Sequence, residues 1–438
     1  MLKRTLGVTA LVFVMFFTTS GGAYSLEGLV AAAGPGLALL MLAVLPFVYS
    51  LPEALIVAEL ASAMPEEGGY YRWVRRAWGP FWGFQNGWIT WLYSLVDMAI
   101  YPVLFNTYLS WFVPGLSSNG HWYVSLVLIW TAALINLFGA YRVGEFSIGS
   151  GIFVLGGFVA LAVVAMPPAL HATHAPWTPF LPPGTSVSAT LAVALSTALW
   201  NYIGWDNAST VQGEVKDATF TYPKALAFAV PLVTLSYLIP MLPTLAATGF
   251  SQWKEGAWPA IAVATGGRYG PFIAAWIAIA GMVSATALMN ALLMTYSRIP
   301  LAVATDGLLP RWLAVTDGRG TPRRAVVVSA IAYSVFALLP YSRLVVADVL
   351  LYSCALILEF SALLKLRRSE PGLRGAFRIN ARWGTVFAMA VLPTLVLLAV
   401  VGLSILDGDL ALPSLLGSAV GIALGPLFYY FLTRRRGA

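Results

Sequence analysis

Charge is what this sequence has least of. Only 10% of its 438 residues are Asp, Glu, Lys or Arg, against about a quarter in a soluble globular domain. With 59% of residues hydrophobic, a water-soluble globule is excluded. Cysteine is almost missing: Cys354 is the single copy and lies inside an apolar run, which excludes an intramolecular disulfide and dithiol redox chemistry. Histidine is scarce as well. His121, His171 and His174 fall in segments read as outer loops. His171 and His174 have no Cys or acidic partner at metal-ligand spacing, so no metal site is expected. No phosphate-cradling glycine loop is present, which argues against ATP-driven chemistry. Nothing in the pattern points to an enzyme or to a bound cofactor.

What the chain does have is long apolar runs, repeated from end to end and too many for a signal peptide and one anchor. They predict an all-α polytopic membrane protein. Twelve transmembrane helices are expected, near 6–33, 36–62, 79–110, 122–140, 146–166, 189–214, 224–249, 270–298, 325–340, 344–365, 385–405 and 413–432. With a cytoplasmic N-terminus, all of the 25 Lys and Arg except Lys254, Arg268 and Arg343 fall in inner loops and tails. The net charge of +7 therefore reads as positive-inside topology and not as nucleic-acid binding. Both termini are expected in the cytoplasm. The loop Met64–Pro80 is helix-like and amphipathic after its glycines and suits a short helix at the cytoplasmic interface.

Two of the runs carry interruptions. In the first, Ser20-Gly21-Gly22 breaks an apolar helix that runs to about Phe17 and resumes from about Tyr24. In the sixth, Asn201, Gly204 and the pair Asp206-Asn207 interrupt another. Irregular backbone at membrane depth is tolerated only where it is buried or lines a cavity. Spans 1 and 6 are five apart, an odd number, so a second unit starting at span 6 would be inverted relative to the first. Breaks in corresponding positions of inverted halves point to a transporter's midplane site. The alternative is that these glycines only pack helices closely.

Buried charge is of one sign. Glu27, Glu53, Glu59, Asp97 and Asp206 lie at membrane depth, and no basic residue is placed deep in a span to neutralise them. Such a set must be protonated, bind a cation or face water. Each has a structural alternative: an interfacial ion pair for Glu59, backbone freed by Pro52 for Glu53, a helix cap for Asp206 and the helix dipole for Glu27. Asp97 has none, and Tyr93 and Tyr101 share its helix face. Aromatic residues near the breaks offer cation–π contacts to an ammonium.

These residues resemble the amino acid–polyamine–organocation transporter superfamily over essentially the whole chain. The likeness is carried by the break at Ser20-Gly21-Gly22, by Ala58-Glu59-Leu60 followed by Pro65-Glu66-Glu67-Gly68-Gly69-Tyr70, and by Ser297-Arg298 followed by Asp306-Gly307-Leu308-Leu309-Pro310. Ser50 to Leu55, Gly79 to Gln85, Asp97 with Tyr101 to Phe105, and Trp205-Asp206 with Ala208-Ser209-Thr210 are similar to the polyamine:proton symporter branch. Asn207 departs from the lysine expected there. The resemblance implies a LeuT-like 5+5 inverted repeat over residues 1–366, helices 11 and 12 with a cytoplasmic tail over 367–438, and alternating access in a plasma or inner membrane. It also implies no disulfide-linked subunit, since Gly115 to His121 holds no cysteine.

The expected function is proton-coupled uptake of a polyamine or related cationic amine, with sodium a less favoured coupling ion. An amino acid permease, by symport or exchange, is the alternative; a non-transporting sensor of the same fold and a channel are the readings from other classes. Substrate contacts are expected from Ser20, Gly21, Gly22, Tyr24, Glu27, Asp97, Tyr101, Asn201, Tyr202, Trp205 and Asp206. Glu27, Asp97, Asp206 and Glu59 are the candidates for proton coupling.

Overall fold

The computed structural model describes residues 2–318, 320–337, 341–406 and 411–434, without side chains at 341–347, 404–406 and 411–415. Arg319, the Arg343 side chain, the last residues of the ninth expected span and the tail from Arg435 onward lie outside this description. Among the described residues the regular structure is all helix, apart from one parallel bridge between Leu6 and Val215.

The first apolar run forms α1 (Val8–Thr19) and α2 (Leu26–Ala33). Between them Gly21 and Gly22 take φ of +71° and +100°, and Ser25 takes +70°. Two of these left-handed positions are glycines, for which the conformation is free of Cβ clash. The second run is α3 (Pro35–Leu45) and α4 (Leu51–Ala63), joined by a wide π turn over Pro46–Ser50. Pro46 and Pro52 remove N–H donors on either side of that turn. Next comes α5 (Gly69–Trp78), the short amphipathic helix expected, with Tyr70, Tyr71, Trp73 and Val74 buried and Arg76 exposed.

The third run contains a break that sequence reading does not anticipate. It divides into α6 (Pro80–Asp97) and α7 (Ile100–Leu109), with a turn at Met98–Ala99. Pro102 accounts for it, since proline bonds to no carbonyl four residues back and its ring clashes there, at Met98. Asp97 thus ends a helix within the span. After α8 (Ser118–Leu137) and α9 (Ala140–Leu170), α10 (Val187–Trp200) ends at the second expected interruption. Gly204 has φ +105°, and the chain continues through Asn207–Glu214 as a 3-10 helix and not an α-helix. Thr210 Oγ1 donates to the Asn207 and Thr295 carbonyls, the kind of local bond that competes with helix.

The chain closes with α11 (Ala218–Ala247), α12 (Trp258–Thr265), α13 (Gly270–Thr305), α14 (Arg323–Phe336), α15 (Tyr341–Ser369), α16 (Trp383–Leu406) and α17 (Ala411–Arg434). Nine segments among the described residues are long and apolar enough to cross a membrane, against twelve expected. The other three are the two interrupted runs, whose longer halves α1 and α10 are apolar but short, and α14 with 14 residues. The first interrupted helix packs against α9, α11 and α13, and α6 packs against α15 and α17. Outward, α17 exposes Leu416, Val420, Leu427 and Phe431, a face suited to lipid.

Sequence reading ends the eighth span at Arg298 with a loop after it; the structure continues α13 to Thr305. Leu301 to Ala304 are buried, and burial of this turn favours helix over exposed loop. Arg298 is itself fully buried, so one basic residue does lie inside a span. Its guanidinium donates to Glu214 Oε1 at 2.7 and 2.8 Å, to the Met294 carbonyl at 3.0 Å and to Ser297 Oγ at 3.0 Å, with Glu67 at 3.8 Å. Ion pairs surround α5: Arg72 and Arg75 hold Asp306, and Arg76 holds Glu370. The hydrogen bond from Arg76 keeps the Glu370 carboxyl below its ordinary range. Removing one member of a buried pair leaves an uncompensated charge, at a cost of about 3–5 kcal/mol. Arg298→Met is expected to lower thermal stability in detergent by that order, and Arg298→Met with Glu214→Met to recover part of it.

Candidate functional site

The two interruptions meet. A Cβ on Gly204 would lie 2.3 Å from the Thr18 carbonyl oxygen, so the break in the sixth span packs backbone to backbone on the first. Ser25 Oγ donates to Asn201 Oδ1 at 3.3 Å across the same junction. The carbonyls that α1 and α2 leave unpaired are taken by neighbours. Ser284 Oγ donates to Gly21 O at 2.5 Å, and Trp258 Nε1 to Ala23 O at 2.8 Å. The Gly21 amide bonds to the Phe16 carbonyl and the Gly22 amide to Ser20 Oγ. Backbone groups at the break are thus already occupied at these positions, as a dry interior requires.

Beside this junction is a small cavity. Thr18, Thr19 and Ser20 line one side, and Ile203, Gly204 and Asn207 another. Five aromatic rings complete the wall: Tyr93, Tyr101, Trp200, Tyr296 and Tyr352. Tyr93 stacks edge-on with Tyr296 and Tyr352, ring centroids 5.5 and 5.4 Å apart, and its hydroxyl donates to Asn207 Oδ1 at 2.8 Å.

Two carboxylates face the cavity. Asp97 accepts from Tyr101 Oη at 2.6 Å and from Tyr296 Oη at 2.8 Å, so each oxygen has a phenol donor. Asp348, on α15, is buried with one carboxyl oxygen unpartnered. Among the described residues no Lys, Arg or His lines the space. Sequence reading missed Asp348. The signal was available: it stands inside Val345-Val346-Ala347-Asp348-Val349-Leu350-Leu351, an acid in an apolar run. Glu359 on the same helix was missed for the same reason and is also buried.

Of the residues singled out from sequence, Ser20, Asp97 and Tyr101 line the cavity. Gly21 and Gly22 shape the break behind them. The Tyr24 hydroxyl donates to the Ile277 carbonyl and its ring packs on Tyr108 and Phe158, off the lining. Glu27 also lies off it: Tyr108 Oη and the Gly256 amide donate to Glu27 Oε1, tying α2 to α7 and the segment before α12. The Asn201 carbonyl accepts from Tyr237, Tyr202 donates to the Leu42 carbonyl, and Trp205 is fully buried. Asp206 reaches the cavity through Tyr352, which bonds to it at 2.8 Å. Glu59 is held by Arg367 and the Ile379 amide, the ion-pair geometry weighed for it from sequence.

A family model described as amino acid permease matches residues 6–432. The chain is 34% identical over 441 residues to a probable polyamine transporter of Arabidopsis thaliana, covering 99% of this chain and 86% of that protein. It is 34% identical over 444 residues to a polyamine transporter of Oryza sativa subsp. japonica, covering 99% and 80%. An uncharacterized transporter of Legionella pneumophila is 26% identical over 389 residues, covering 84% and 82%.

The junction of the two breaks is testable by adding one methyl group. Overpacking costs about 1–3 kcal/mol, and a left-handed non-glycine residue adds about 1–2 kcal/mol. Gly204→Ala is therefore expected to lower the melting temperature sharply. Gly149→Ala, at an exposed helical position with nothing within 4 Å of its Cβ, is the matched control and should leave it unchanged or slightly raised.

Proposed function

Since the chain belongs to the amino acid permease family and is a membrane transporter, not an enzyme, we propose that it takes up polyamines or related cationic amines together with protons. On this reading the chain has twelve transmembrane helices. Helices 1–5 and 6–10 form a LeuT-like inverted repeat over residues 1–366, and helices 11 and 12 follow over 367–438. The two broken helices hold the substrate between them as the halves rock. Both termini face the cytoplasm, across a plasma or inner membrane.

The observation that carries the substrate class is the cavity's charge. Among the described residues, Asp97 and Asp348 face it, five aromatic rings wall it, and no basic side chain lines it. An ammonium group gains from both carboxylates and from the ring faces. A substrate carboxylate would meet the opposite conditions: like charge on the wall and, at Gly21 and Gly22, amides already bonded. The amino acid reading is therefore second. Of the proton candidates, Asp97 faces the cavity and Asp206 is linked to it by its hydrogen bond to Tyr352. Glu27 and Glu59 hold structural partners instead.

Purified protein should be stabilised by putrescine or spermidine and not by neutral amino acids, since only ligands of the native state raise its melting temperature. Asp97→Asn and Asp348→Asn should each weaken spermidine binding at least ten-fold, about 1.4 kcal/mol. Stabilisation by a neutral amino acid alone, or full spermidine binding in both variants, would reject the amine reading.

A further inference from the structure

The Tyr352 hydroxyl has more partners than it has hydrogens. It accepts from the Gly204 amide at 2.9 Å, and it lies 2.8 Å from Asp206 Oδ1 and 3.0 Å from Glu53 Oε1. A phenol carries one hydrogen and two lone pairs. It can donate to one of these carboxyl groups and not to both. The remaining contact is a hydrogen bond only if that carboxyl group brings its own proton and donates to the phenol's second lone pair. Two ionised carboxylates would leave one negative oxygen against a phenol oxygen with no hydrogen between them. In this arrangement at least one of Glu53 and Asp206 holds a proton.

Among the described residues no nearby cation substitutes for that proton. Both carboxyl groups are buried. The other titratable groups facing them are Tyr49 from the π turn, Tyr70 from α5, Tyr93 from α6, Tyr222 from α11 and Glu359 from α15. Among the described residues none of these is a cation, and Glu359 adds negative charge. The Glu53 Oε2 atom has no hydrogen-bond partner.

We infer that Glu53 and Asp206 share a coupling proton through Tyr352, and that Tyr352 transmits its loss to the substrate cavity. The inference rests on the proton-coupled reading above and adds Glu53 and Tyr352 to it. The proton enters from water on one side as a carboxyl O–H and leaves to water on the other; no other bond is made or broken. Its departure removes the hydrogen from one of the two phenol–carboxyl contacts and leaves two oxygens in repulsion. Tyr352 then cannot keep all three partners. Because it lines the cavity, stacks on Tyr93 and holds the Gly204 amide, its movement alters the substrate site and the break in helix 6 together.

The test uses purified protein in liposomes with radiolabelled spermidine, comparing uptake driven by an inward proton gradient with counterflow in its absence. The ratio of the two should fall to the gradient-free value in Glu53→Gln and in Tyr352→Phe. Glu53→Gln with Asp206→Asn should lose no more than either single variant, because a shared proton is lost once. A parent-like ratio in Glu53→Gln or in Tyr352→Phe overturns the inference. A parent that shows counterflow but no response to the gradient overturns proton coupling itself. Infrared difference spectra of the parent on raising the pH provide a readout independent of the substrate. They should show the carbonyl stretch of a protonated carboxylic acid, reduced in the double variant; equal amplitude in both overturns the inference whatever the protein carries.

Discussion

Carboxylates placed where water is scarce and cations are few are the constraint on which the rest of this structure depends. An isolated ionised acid in such a place costs several kcal/mol at least, so each must find a proton, a donor or a cation. The chain uses all of these. At the end of the bundle near α5, Glu59 and Glu214 are neutralised by Arg367 and Arg298. Elsewhere the donors are tyrosine hydroxyls: Tyr101 and Tyr296 for Asp97 at the cavity, Tyr108 for Glu27 away from it, and Tyr352 for one of Asp206 and Glu53. Phenols stabilise negative charge without cancelling it. The acids facing the cavity therefore stay attractive to a cation, and those bound by arginine do not.

The broken helices follow from the same scarcity. An interrupted helix exposes amides and carbonyls that a dry interior must satisfy. Here Ser20, Ser284 and Trp258 take several of those of the first break. At the second break Tyr352 takes the Gly204 amide. The protein itself thus satisfies these backbone groups, and the side chains that do so from outside the breaks come from α12, α13 and α15. Helices outside the breaks are thus tied into the site. In the proposed transport cycle, movement of α15 against the broken helices would be felt at once by Gly204 and by the two acids that Tyr352 touches.

Much of this was legible in the sequence, and the limits are instructive. Gly21-Gly22 and Gly204 marked the breaks, because adjacent or isolated glycines in apolar runs signal left-handed backbone or close approach, and here they provide both. The turn after Asp97 was missed although Pro102 encodes it, since the apolar pattern continues across it without change. Asp348 was overlooked within its apolar run. The partners of Glu27 were beyond reach: Tyr108 and Gly256 lie 81 and 229 residues away in the chain, and no local pattern connects them.

Sequence by itself determined the class of the protein, the apolar runs, the two interruptions and the excess of buried acid over buried base. Those properties are local or compositional, and hydropathy, glycine and charge report them directly. Tertiary structure alone decided which acids face the cavity and which are tied into ion pairs. That choice depends on which helix packs against which: Arg298 meets Glu214, and Tyr352 meets both Asp206 and Glu53, only once α13 and α15 close against the breaks. The same residue type, a glutamate or aspartate in an apolar run, became an ion-pair anchor, a lining group or a tyrosine-bound acid according to the neighbour it met.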